Sequence, residues 1–211
     1  MSTTAEHSGN GNGAHAEGAA LERLRALLRG EGGLMATLVA PRADAAPDGR
    51  SDFVPGAPAA PGKSPASIVA GGPRVAGRRE QYELLVEAIY EGYLLHYGTP
   101  RVVCVPASSP EGGDDLRLLA GDRLYAIGLA RLVALGDTLA VAELADTITL
   151  SALAQGAGEE PLAAAVWSAG AHAVGWGPSE LHEHAKQLVL AGAPEAIEAM
   201  RTSSTGAIAP P

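Results

Sequence analysis

The chain has 211 residues, a formal net charge of −9 and an isoelectric point near 5.1. That length allows one domain of moderate size with tails, and that charge excludes a broad nucleic-acid surface, which needs a basic footprint. A single cysteine, Cys104, excludes an internal disulfide and a cysteine-based zinc cluster, and it fits a reducing cytoplasm.

Residues 1–18 are rich in Gly, Ser, Asn and Ala, and their composition predicts a disordered tail. They have neither a basic start nor an apolar core, so they do not read as a signal peptide. A short amphipathic helix is expected within 19–40, over Ala19–Arg29. Leu21, Leu24 and Leu28 share one side, Gly30 is the stop, and Leu34–Val39 add an apolar contact. Residues 41–77 are dense in Pro, Gly and Ala and read as a linker or long extended loop.

A helical domain is expected over 78–201. Its first helix covers Arg78–Tyr97, with Tyr82, Leu85, Val86, Ile89, Tyr93 and His96 on one face. Glu80, Glu83, Glu87 and Glu91 read as the solvated edge. Gly98 and Pro100 end the helix, and Arg101–Val105 read as a packed loop. The longest apolar pattern follows, over Asp114–Gln155, as two helices joined by a turn at Gly136–Asp137. In the first, Leu116, Ala120, Leu124, Ile127, Gly128, Leu132 and Leu135 recur at steps of three and four, while Leu118, Tyr125, Leu129 and Val133 line a second apolar face. Asp137 is the expected N-cap of the second, which carries Val141, Leu144 and Ile148. Pro161 opens a further helix through Val174, and another covers Pro178–Ala191 with Leu181, Ala185, Leu188 and Val189 inward. A short one lies over Pro194–Met200, followed by a tail over 202–211. The expected fold is all-α, about six helices around a central αα-hairpin, with no sheet and no apolar run long enough for a membrane span.

The opening of the hairpin, Leu118-Leu119-Ala120-Gly121-Asp122-Arg123-Leu124, resembles the Leu-x-Gly-Asp-x-Leu helix of the all-α isoprenyl (polyprenyl) diphosphate synthases. The stretch from Glu87 to Arg101 is similar to that family's early helix, which ends in a Gly-Lys-Arg turn; here the turn is Gly98-Thr99-Pro100-Arg101. The family's enzymes hold Mg²⁺ and an allylic diphosphate through two aspartate-rich motifs. This chain has no Asp-Asp-x-x-Asp, and the stretch 102–121 is too short for the helices that carry the first of them. The resemblance is therefore closest to the small, non-catalytic component of two-subunit polyprenyl diphosphate synthases.

That resemblance implies that the hairpin forms a subunit interface. The residues concerned are Leu116, Ala120, Gly121, Asp122, Leu124, Tyr125, Ile127, Gly128, Leu132, Leu135, Val141, Leu144 and Ile148. It offers Arg101 as a candidate diphosphate contact, which can also be a solvated turn residue. Asp114 and Asp115 are candidate Mg²⁺ ligands, or simply acids favourable at a helix start. No catalytic residue and no cofactor of its own is expected, and Mg²⁺ would enter only through a catalytic partner. His182 and His184 are two residues apart and face different sides of a helix, so they do not chelate together. Cys104 lacks an activating neighbour in sequence. The expected function is modulation of a catalytic polyprenyl diphosphate synthase in isoprenoid biosynthesis. The alternative is a helical scaffold or homodimer with no link to isoprenoids.

Overall fold

Residues 10–39, 63–105 and 113–205 are described by the computed structural model, and among them the architecture is all-α. Helix α1 spans Asn10–Glu31, α2 Gly33–Thr37, α3 Pro65–Gly71, α4 Arg79–Tyr97 and α5 Gly113–Ala134. Then come α6 Thr138–Gly156, α7 Glu160–Trp176, α8 Glu180–Leu190 and α9 Ala196–Thr205. A 3₁₀ turn over Pro73–Val75 joins α3 to α4. One isolated antiparallel bridge, Val39 to Val103, pairs the end of α2 with the loop after α4.

Local chemistry sets the boundaries. Asp137 caps α6, its carboxylate accepting the Ala140 N–H at 3.0 Å. Gly136 supplies the positive φ of 77° that the turn between α5 and α6 requires. Ser179 caps α8 by accepting the His182 N–H at 3.1 Å.

Three apolar clusters hold the helices together. The first joins α3, α4 and α7 with the facing ends of α5 and α6, and has Ile89, Tyr93, Leu132, Leu144 and Trp167 among its members. The second packs Leu24 and Leu28 of α1 and Met35 of α2 on Leu95 of α4 and on Ala120, Leu124 and Ile127 of α5. The third lies among α6, α7, α8 and α9 around Leu150, Val166, Ala185 and Met200. Helix α5 packs mainly on α4, and α6 mainly on α7. The hairpin exists, but its two helices meet little beyond their turn. The centre of the fold is α4 and α7, bridged by α3.

Small residues allow the closest approaches. A methyl group on Gly92 would sit 2.9 Å from the Gly121 carbonyl oxygen, and one on Gly128 would sit 2.3 Å from Ile89 Cγ1. One on Gly72 would sit 2.2 Å from the Gly175 carbonyl oxygen, so α3 and α7 meet there backbone to backbone.

Four expectations are corrected. Helix α1 reaches back to Asn10, so only residues 1–9 of the expected tail lie outside the described residues. The alanines at 14, 16, 19 and 20 favour helix where the glycines suggested coil. The second part of the expected linker is α3 and the 3₁₀ turn, with Pro65, Ala66, Val69 and Val75 buried; residues 40–62 lie outside the described residues. Pro65 there is a helix start rather than a breaker, since Ser64 Oγ caps the Ser67 N–H at 3.2 Å. Helix α9 continues through Thr205 with Ser203 buried, which shortens the expected tail. Leu181, expected inward, is 57% exposed, and His182 is buried in its place. The expected loop residues 106–112 lie outside the described residues.

Candidate functional site

The expected interface residues divide into two groups. Ala120, Gly121, Leu124, Ile127, Gly128, Leu132 and Leu144 are buried by this chain's own helices. They are therefore core and not a surface offered to another molecule. Leu116, Tyr125, Leu135, Val141 and Ile148 are partly buried against the same clusters, and Asp122 is exposed. Gly121 packs on Gly92 and His96 of α4, and Asp122 lies 3.2 Å from His96 Nε2.

The second face of α5 is different. Leu118 is 44% exposed and Val133 58%, with Tyr125 and Leu129 half-covered between them. Leu153 of α6 adds a further exposed side chain. Positions 118, 125, 129 and 133 follow one stripe of the helix, which the exposed Asp122 interrupts between Leu118 and Tyr125. Elsewhere α5 carries an apolar groove of about 350 Å³, lined by Leu34 and Met35 of α2 and by Leu119, Ala120 and Arg123.

Arg101 does not face an incoming anion. Its guanidinium pairs with Glu87, lies 3.5 Å from Glu91 and 3.5 Å from Glu17, and sits over the Tyr90 ring. Glu87 and Glu91, expected on a solvated edge, are fully buried. Glu91 Oε1 accepts the N–H groups of Arg101, Val102 and Val103 at 2.7, 2.6 and 3.0 Å. Burial pushes the Glu87 carboxyl up to about 7, against the pull of Arg101. Burial alone would lower Arg101, but Glu87 and Glu91 outweigh it and raise it.

Asp114 and Asp115 are exposed in the first turn of α5, where acids favour the helix dipole. Among the described residues no group of three or more His, Cys, Asp or Glu side chains is placed to hold a metal ion. His184 is exposed while His182 is buried, as their spacing requires. Among the described residues no helix is long and apolar enough to cross a membrane.

A second polar cluster, absent from the sequence reading, joins α6, α8 and α9. Glu143 Oε2 lies 3.1 Å from His182 Nε2 and 2.9 Å from Lys186 Nζ, and Lys186 also reaches Asp146 and Glu183. Burial would raise Glu143, yet the hydrogen bonds of His182 and Lys186 hold it below the ordinary carboxylate range. Ser203 Oγ lies 3.5 Å from His182 Nδ1, which completes a Ser–His–Glu row. That row is not a hydrolase site. The Ser203 hydroxyl donates to the Met200 carbonyl at 2.9 Å, and no member is more than 5% exposed. The signal for Glu143 was present: it falls in phase with Ala140, Leu144, Thr147 and Leu150 on the inward face of α6. Glu91 likewise falls in phase with Ala88 and Leu95 on α4.

The geometry combines exposed apolar side chains with buried charge, and comparison with protein families, curated proteins and solved structures returns no match for this chain.

Proposed function

We propose that the chain is a non-catalytic helical subunit that docks on a larger all-α partner of the prenyl-synthase type through the second face of α5 and the outer side of α6. The observation that carries this reading is the exposed apolar carbon of Leu118 and Val133 on α5 and Leu153 on α6, with Tyr125 and Leu129 half-covered between the first two. Stable interfaces cover roughly 800 Å² per partner around an apolar centre, and on α5 the exposed side chains run from Leu118 to Val133 along most of the helix. The Gly121–Asp122 pair at the α4–α5 crossing adds the sequence resemblance. Mg²⁺ and diphosphate chemistry belong to the partner in this reading.

Co-expression with a full-length prenyl synthase tests it. The two chains should co-elute in size-exclusion chromatography, and product chain length should change. The double variant Leu118→Asp/Val133→Asp should keep its helical circular dichroism and lose both effects. A wild-type chain that runs as a monomer and leaves the product unchanged overturns the reading. A self-dimer abolished by the same variant, with no effect on any synthase, replaces the partner by a second copy of this chain.

A further inference from the structure

The loop after α4 lies between two layers. On one side Arg25 of α1 donates to the Arg101 carbonyl at 3.0 Å, and Cys104 N–H donates to the Leu38 carbonyl beyond α2 at 2.8 Å. On the other side Glu91 of α4 gathers three successive N–H groups of the same loop. The buried glutamates thus sit under the fastening that keeps α1 and α2 on α4 and α5.

The charges at this fastening do not balance. Among the described residues three carboxylates, Glu17 of α1 and Glu87 and Glu91 of α4, converge on the one guanidinium of Arg101. Arg23 is already matched by Glu83 at 2.7 Å, and Tyr90 contributes only its ring. Glu87 and Glu91 are 0% exposed, and their Oε2 atoms accept no hydrogen bond. An ionised carboxylate without a full partner in a dry interior is costly, and the cheapest remedy is to take up a proton.

We propose that Glu87 holds its proton in the closed molecule, and that its loss releases α1 and α2 from α4 and α5 as a unit. Release uncovers Ala88 and Leu95 of α4 and Ala120, Leu124 and Ile127 of α5. The inference is independent of any prenyl-synthase partner. The direction follows from Glu87, whose carboxyl is raised from 4.5 to about 7 when buried. Its contribution to the closed state is fully present below the open-state value and is lost as pH rises through the closed-state value.

Hydrogen exchange on the full chain, corrected for intrinsic rates, tests this. Between about pH 5.5 and about pH 8 the opening equilibrium of the α1 and α2 amides should rise roughly thirtyfold. Amides of α7, α8 and α9 should move much less. Glu87→Gln, neutral at both values, should abolish the difference. Equal protection of α1 and α2 at both values overturns the proposal, as does wild-type pH dependence in Glu87→Gln. Should that variant not fold, the carboxyl-carbon NMR titration of Glu87 in the wild type decides. A midpoint near 7 supports the proposal, and one in the ordinary carboxylate range overturns it.

Discussion

Single side chains carry unequal weight here because several charges are buried in sets. Lys186 is the clearest case, with its ammonium among Glu143, Asp146 and Glu183. Lys186→Met leaves Glu143 buried beside a histidine alone, and the expected loss is about 3–5 kcal/mol in urea unfolding. Asp137 is another. It caps α6, accepts the Tyr82 hydroxyl at 2.6 Å and pairs with Arg74 at 3.3 Å. Burial would raise it, but the bonds from Tyr82 and Ala140 and the charge of Arg74 lower it. A depressed carboxyl stabilises the fold above the ordinary carboxylate range and stops doing so as pH falls from that range through its own lower value. Asp137→Asn should therefore lower the melting temperature at neutral pH and reduce its acid dependence, measured by circular dichroism. The sequence disclosed Asp137 as a cap because the turn chemistry is local. Its bonds to Tyr82 and Arg74 depend on chain separations of 55 and 63 residues, which no local pattern encodes.

At the scale of elements, Arg117 shows how one helix finishes another. It reaches from the first turns of α5 to the Leu94, Leu95 and Gly98 carbonyls at the C-terminal end of α4. The Leu94 carbonyl also accepts the Gly98 N–H at 2.9 Å, but carbonyls at a helix C-terminus run short of main-chain donors, and a guanidinium also suits the negative end of the dipole. Arg117→Ala should cost about 1–3 kcal/mol and speed amide exchange in the last turn of α4. Helices α4, α5 and α6 were legible from apolar spacing, Gly98 and Asp137. Helix α3 was not, because Ser64-Pro65 was read within a stretch whose overall composition is that of a linker. A carboxylate is usually solvated, so the pattern by itself places Glu87 and Glu91 in water. Their counter-ion Arg101 lies beyond the helix end, outside the helical repeat that guided the reading.

For the whole molecule, the apolar length of the hairpin was correctly read as requiring cover, and most of that cover is internal. α4 takes the stronger stripe of α5, with α1 and α2 over part of it, and α7 takes α6. The weaker stripe, from Leu118 to Val133, stays partly exposed. Sedimentation velocity should therefore show association that Leu118→Asp/Val133→Asp removes, while the melting temperature stays within a few degrees.

Where Gly72 meets Gly175, no side chain separates the end of α3 from α7. A single methyl there acts as a wedge. In scanning calorimetry, Gly72→Ala should lower the midpoint of the endotherm, because α3 must lift off the α7 backbone to admit the added carbon.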